Sequence, residues 1–324
     1  MQQKQIPVIN ESIVIEEIEA HNTHNILLVE RDMVNYPEKL KPYGKMFPIV
    51  SIKGNINLLN NKTIGIIGAR QCSIVGKEYT KLLTKKLRKH YTTVSGLAIG
   101  IDTIVAENSL NNHVGVVPGG INTIYPSSAK NLYESIVEEG GCLISCQPFN
   151  QSPKKTLFAI RNQLIAALSD GLIITESKNK SGSLQTANFI LDYNKPLLVV
   201  PGHPLDENYS GNNLLLKNRL ALPMDETVDL DRILKNNHWV EDDYWNSVVG
   251  TIDLSRDYSK LKKDIVNMVS LTPVDINKLS HYFNSSIGNI VSCCMELELD
   301  GKVIINHKME IMKNFIYNSY DDDL

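Results

Sequence analysis

Between Thr63 and Pro201 the chain repeats one pattern: a short, β-rich apolar run followed by an amphipathic stretch. The runs are TIGIIG, TTVSG, VGVVPGG, CLIS, GLIITES and PLLVVPG. Short runs that are apolar on both faces read as strands buried between two helical layers, the arrangement of a parallel sheet built from βαβ units. The pattern therefore predicts an α/β chain with an extended Rossmann-like parallel sheet. In such sheets ligands bind outside the carboxyl ends of the strands, where glycine-bearing turns lead into helix N-termini.

Four such turns stand out. The first, Gly68-Ala69-Arg70, follows the strand Ile64 to Ile67. A dinucleotide fingerprint needs G-x-G-x-x-G here and a carboxylate closing the second strand. Ala69-Arg70 replaces the middle glycine, and the second strand closes as Val94-Ser95-Gly96, so NAD and FAD are not expected and no cofactor is assigned. From the residues alone Arg70 has two readings, a bidentate phosphate contact or a pair with a nearby carboxylate. The second turn, Ser95 to Asp102, carries Gly96 and Gly100, and Asp102 is expected to cap a helix running to Leu110. The third presents Gly119 and Gly120, and the fourth ends a strand with Glu176 before Ser181, Gly182 and Ser183. Ser95, Gly96, Gly100, Gly119 and Gly120 are expected to turn backbone amides toward phosphate, and Glu176 to brace the Ser181–Ser183 loop.

The 324 residues leave room for two domains, and a composition 42% hydrophobic and 21% charged is that of a globular chain. A net charge of −3 argues against coating nucleic acid through overall charge, so any anion site is local. Five cysteines without a CxxC pair read as reduced thiols, with no metal site expected. Neither a signal peptide nor a membrane span is expected, which points to the cytoplasm. Residues 1–60, interrupted by Pro37, Pro42 and Pro48, read as an irregular lead-in, and 61–222 as the Rossmann-like domain. Residues 223–257 read as an acidic linker. Over 258–318, apolar stripes at Leu261/Ile265/Val269, Ile276/Leu279/Phe283 and Ile287/Ile290/Val291/Cys294, then an Asp300-Gly301 turn, outline a winged helix-turn-helix. Its third helix, Ser286 to Leu299, carries Glu296 and Glu298 and no basic residue, which suits a protein contact or a structural role better than groove reading. Between Lys62 and His90 eight basic residues face one acid, Glu78. Lys77, Lys81, Lys85 and Arg88 oppose Tyr79, Leu82, Leu83 and Leu87, so these charges read as a solvated face, with the helix N-terminus turned to the site.

The segments GIIGARQCSIVG, TTVSGLAIGID, PGGINTIYP, FAIRNQLIAALSDGLIITES, SGSLQTA, LLVVPG and GNNLL, in this order and spacing, resemble the DNA processing protein A (DprA/Smf) family over roughly residues 36 to 222. The resemblance implies a non-catalytic, homodimeric protein that binds single-stranded DNA and helps load RecA in recombination or natural transformation. Arg70 matches the family arginine that contacts backbone phosphate, with Gly68 in the same turn. Lys155 matches a pocket lysine, and Phe158 the aromatic on which a base stacks. Arg161 and Asn162 match an R-N pair, and Gly182 with Ser183 a loop closing the pocket. Phe158 also suits the core face with Ile160, Leu164 and Ile165, and Asn162 also suits a turn brace.

The chain departs from the family at Ile99, where a basic residue is common, and at Gln163, where a second arginine is usual. The segment GNNLLLKNRLALP also drifts from G-T-N. Two alternatives stay open. A nucleotide-binding phosphoribohydrolase would use P-G-G-x-G-T-x-x-E, but here Asn122 and Pro126 break that motif after Pro118-Gly119-Gly120. A protein-binding adaptor without DNA affinity would tolerate the changes at Ile99 and Gln163.

Overall fold

A computed structural model describes residues 10–225, 228–235, 259–270, 272–283, 285, 287–306 and 309–314. The chain forms two compact units, Met1–Tyr244 and Trp245–Leu324.

The six apolar runs become six strands of one sheet: β3 (Thr63–Ile67), β4 (Thr92–Ser95), β5 (His113–Val116), β6 (Cys142–Ser145), β7 (Gly171–Ile174) and β8 (Leu197–Val199). All residues of β3 to β8 are buried, as strands covered on both faces must be. Two further strands, β1 (Leu27–Glu30) and β2 (Ile49–Gly54), and the short β9 (Leu222–Pro223) complete the order β1-β2-β6-β5-β4-β3-β7-β8-β9. From β6 to β9 every pairing is parallel, while β1 and β2 join antiparallel. The lead-in expected over residues 1–60 is therefore corrected: it supplies helix α1 (Glu11–Thr23) and an edge of the sheet. Pro37, Pro42 and Pro48 fall between β1 and β2, so they interrupt the sequence pattern without breaking a strand.

The strand order reverses between β3 and β7. Five further helices flank this centre: α2 (Ile74–Leu87), α3 (Ile101–Glu107), α4 (Lys130–Glu138), α5 (Lys155–Leu168) and α6 (Gly182–Asp192). In α2 the buried face is Gly76, Thr80, Leu83, Thr84 and Leu87. Leu82, expected on that face, is 67% exposed. The small residues Gly76, Thr80 and Thr84 let the helix approach the sheet closely, and Thr80 Oγ1 donates to Thr175 Oγ1 at 3.0 Å. Helix α3 ends at Glu107, short of the expected Leu110, and a 3-10 turn follows at Leu110–Asn112.

One buried titratable group sits under β4 and β5. His113 Nδ1 lies 2.8 Å from Thr93 Oγ1 and its Nε2 3.3 Å from Ser95 Oγ, with no carboxylate among these partners. Burial pushes the imidazole from 6.5 down to about 3. The folded chain thus holds His113 neutral where the unfolded chain takes up a proton, so its contribution is intact above pH 6.5 and is lost as pH falls toward 3. Denaturant unfolding of wild type and His113→Gln should show wild type losing up to about 1.4 kcal/mol per pH unit relative to the variant below pH 6.5. A difference that stays constant from pH 7.5 to 5 would rule this out.

In the second unit, helices Ser259–Met268, Ile276–Tyr282 and Ile287–Leu299 and a three-stranded antiparallel sheet enclose one core. Val303–Ile305 pairs with Glu310–Lys313, which in turn pairs with Val274–Asp275. Ile265, Val269, Ile276, Leu279, Ile290 and Cys294 of the expected stripes are buried, whereas Ile287 is 51% exposed. Residues 226–227 and 236–257 of the expected acidic linker lie outside the described residues. No helix among the described residues is long and apolar enough to cross a membrane.

Candidate nucleic-acid interface

Outside the carboxyl ends of β3 and β7, at the point where the strand order reverses, lies a cavity of about 950 Å³. The loop after β3 contributes Gly68, Ala69, Arg70 and Gln71 to its wall. Helix α5 contributes Lys155, Phe158, Arg161 and Asn162, and the start of α6 contributes Gly182 and Ser183. All eight residues singled out for nucleic-acid contact thus line one cavity. Gly68 must be glycine here, because a side chain would meet Ile101 and the Glu176 carbonyl.

The cavity is basic. Arg70, Lys155, Arg161 and Lys178 share it with one carboxylate, Asp102, and only Arg161 is ion-paired among the described residues, its Nη1 3.4 Å from Asp102 Oδ2. Arg70, Lys155 and Lys178 are exposed. For Arg70 this removes the carboxylate-paired reading. The Arg70 and Arg161 guanidinium carbons lie 5.6 and 5.7 Å from the centroid of the Phe158 ring, and Tyr125 meets that ring edge-on at 5.4 Å. Phe158 is half-buried in the cavity, while Leu164 and Ile165 form the core face of α5. Asn162 is buried, lines the cavity and makes no side-chain hydrogen bond among the described residues, so it braces no turn.

Arg161 and Asp102 form the buried base of the site. Asp102 Oδ2 also accepts from the amides of Gly96 at 3.1 Å and Ala98 at 3.5 Å. Burial nevertheless pushes the carboxyl above its usual range, more than Arg161 and the amides draw it down. Asp102 is therefore a brace of the 96–98 turn and not the helix cap expected, since Gly100 holds the N-cap position of α3. Arg161 Nε is buried without a partner among the described residues.

Helix N-termini carry free amides that attract anions. Helices α5 and α6 both begin at this cavity without a side-chain cap. Helix α2, whose N-terminus was expected to face the site, is closed instead. Ser73 caps it, and Glu176 accepts from Ser73 N at 2.9 and 3.1 Å and from Ser73 Oγ at 2.6 Å. Glu176 thus occupies the anion position of α2. It does not brace the Ser181–Ser183 loop, which is held by Ser177 Oγ against Ser181 Oγ at 2.7 Å and by Ser183 Oγ donating to the Gly68 carbonyl at 3.0 Å.

The phosphate-facing role expected of the glycine turns is corrected for four residues. Ser95, Gly96, Gly119 and Gly120 are buried and lie outside the cavity wall. The Arg161 guanidinium covers Gly96, and the 148–151 backbone covers Gly119 and Gly120, leaving no room for side chains. Gly100, at φ +94°, packs on the Ala69 and Arg70 carbonyls and lines a separate cavity. Gln163 also lies outside the basic cavity and bonds Tyr193, so the arginine missing at that position takes nothing from this wall. Sequence reasoning passed over Tyr125, within the segment PGGINTIYP, and Lys178, which lies between Glu176 and Ser181 of the fourth turn. It also passed over Asn212, whose Nδ2 donates to the carbonyls of Ile174, Thr175 and Val200 at 3.1, 3.3 and 2.9 Å and fastens the ends of β7 and β8.

The profile of the DNA recombination-mediator protein A family matches residues 27–235. Protein Smf of Escherichia coli strain K12 is 28% identical over 290 residues, 88% of this chain and 76% of that protein. DNA processing protein DprA of Bacillus subtilis is 34% identical over 202 residues, 61% of this chain and 67% of its own. Among solved structures, DprA from Streptococcus pneumoniae superposes with a TM-score of 0.61 at 27% identity, covering 67% of this chain and 75% of that one. The Helicobacter pylori protein, described for its single-stranded DNA binding mode, superposes with a TM-score of 0.55 at 28% identity, over 65% of this chain and 94% of that one. With well over half of its length under the family profile and a DprA-like sheet beneath its basic crevice, the chain belongs to the DNA recombination-mediator protein A (DprA/Smf) family.

Proposed function

We propose that this chain binds single-stranded DNA in the crevice between β3 and β7, protects it, and helps load RecA onto it in recombination or natural transformation. The reading is of a cytoplasmic homodimer with no catalytic step, whose C-terminal unit is a winged helix making protein contacts. The observation that supports it most is the cavity itself, where Arg70, Lys155 and Lys178, without ion pairs among the described residues, and two helix N-termini without side-chain caps surround an accessible aromatic ring. Phosphates suit the cations and amides, and a base suits the Phe158 face, a contact worth about 1 to 3 kcal/mol that tolerates any sequence. The Helicobacter pylori relative is itself described as binding single-stranded DNA.

Fluorescence anisotropy of a labelled oligo-dT strand and of a matching duplex, across a salt series, tests the reading. Expected is single-strand binding that falls steeply with salt, with the duplex several-fold weaker. Absence of binding to both overturns it, and an assay for base released from nucleoside monophosphates would then examine the hydrolase alternative.

A further inference from the structure

The basic cavity has a neighbour. A second cavity of about 550 Å³ opens between α3 and the 126–132 segment, within the size range of small-ligand sites. The two share a wall: Arg70 and Gln71 line both, and Tyr125 lines the first where Pro126 lines the second. The Arg70 backbone is pinned from the second side by Gly100 and the start of α3, with Ile101 N donating to the Ala69 carbonyl at 3.2 Å. Its side chain meanwhile reaches over Phe158 on the first side.

The second cavity has the chemistry of a base and its sugar. Ile99, 58% exposed, with Ile104 and Leu132 offers apolar surface, and Thr103 and Asn131 offer hydrogen-bonding edges. Lys77 has no ion pair among the described residues, and Glu107 is the single carboxylate.

Resting on the single-strand reading above, we infer that one DNA strand crosses Arg70, with one nucleotide on Phe158 and the next in the cavity of Ile99, Thr103 and Asn131. Arg70 then grips the phosphate that joins them, a task suited to a planar fork of donors. A mononucleotide fills only one side of this saddle, so the paired cavities select a polymer.

Cys72 lines the second cavity and provides a positional readout. In wild type, saturating oligo-dT should slow alkylation of Cys72 by N-ethylmaleimide about tenfold, with Cys146 as internal control, as read by peptide mass spectrometry. Ile99→Glu, a change at an exposed position, should weaken oligo-dT binding about tenfold without moving the unfolding midpoint. If Ile99→Glu disturbs the fold, protection of Cys72 in wild type decides alone. Should wild type bind, Phe158→Ala bind weakly, and Cys72 still react at its free rate, the second subsite is overturned while the first-cavity reading stands. Failure of wild type to bind oligo-dT overturns both.

Discussion

Arg70→Ala is expected to weaken oligo-dT binding between about ten- and a hundredfold, and to lower the slope of log K against log salt by about 0.7 to 1. A hydrogen bond to a charged group contributes about 1.5 to 3 kcal/mol, and each 1.4 kcal/mol is a factor of ten. One phosphate contact on a single strand is worth about 0.7 in the slope, and nearer 0.9 on a duplex. Arg70 belongs at the upper end for two reasons visible in its surroundings. It has no ion pair among the described residues, so its charge is available, and it stands where both cavities meet. Lys155→Ala should give the same change in slope with a smaller loss of affinity, because an ammonium is a point charge without a bidentate fork. Both residues are exposed, so neither variant should move the unfolding midpoint. Unchanged slopes in both variants would place the phosphate path elsewhere.

The fold was legible where local pattern and burial coincide. Most buried strands of the parallel sheet announce themselves because covered strands read as near-continuous apolar runs, although β4 is mostly polar and satisfies Thr93 and Ser95 internally. Strand β1 did not, because it is an edge strand with an exposed face, and β2, paired on both sides, is exposed at its ends Ile49 and Gly54. Leu27 and Ile49 are 44% and 49% exposed, and of the four residues of β1 only Val29 is buried. The buried face of α2 was misread for a related reason. Periodicity counts apolar residues, whereas the helix packs on Gly76, Thr80 and Thr84, whose value is their small size.

At the site, residue types were readable and contacts were not. Arg70, Lys155 and Phe158 could be singled out because their chemistry suits a nucleic acid whichever way the chain folds locally. Gly96, Gly119 and Gly120 looked alike in the sequence, and each turned out to accommodate a neighbour, an arginine side chain or a backbone, across a gap that only the tertiary fold creates. Glu176 is the sharpest case. Its position at a strand end suggested the nearby serine loop, yet it reaches α2, distant by 103 residues in the chain, and fills the anion position that a dinucleotide phosphate would otherwise use. This contact closes the N-terminus of α2, whereas α5 and α6 begin at the cavity without a side-chain cap.

Arg161→Ala should be the most destabilising change at the site, costing about 3 to 5 kcal/mol because it leaves the buried Asp102 carboxylate without its cation. The loss has a pH signature. Burial already pushes the Asp102 carboxyl upward in the intact protein, and without Arg161 its largest opposing influence is gone. A folded-state value raised above the unfolded one gives stability that is complete below about pH 3.9 and is lost as pH rises through the folded-state value. Denaturant unfolding should therefore show the gap between wild type and Arg161→Ala widening as pH rises from the acid side. Asp102→Asn removes the charge while retaining an acceptor for the Gly96 amide, but it strands Arg161, which stays a cation. The double variant Asp102→Asn/Arg161→Gln should then be more stable than the sum of the single losses allows, as coupled partners require. Additive losses, or a gap that ignores pH, would mean that the 3.4 Å pair does not hold the turn beneath the cavity.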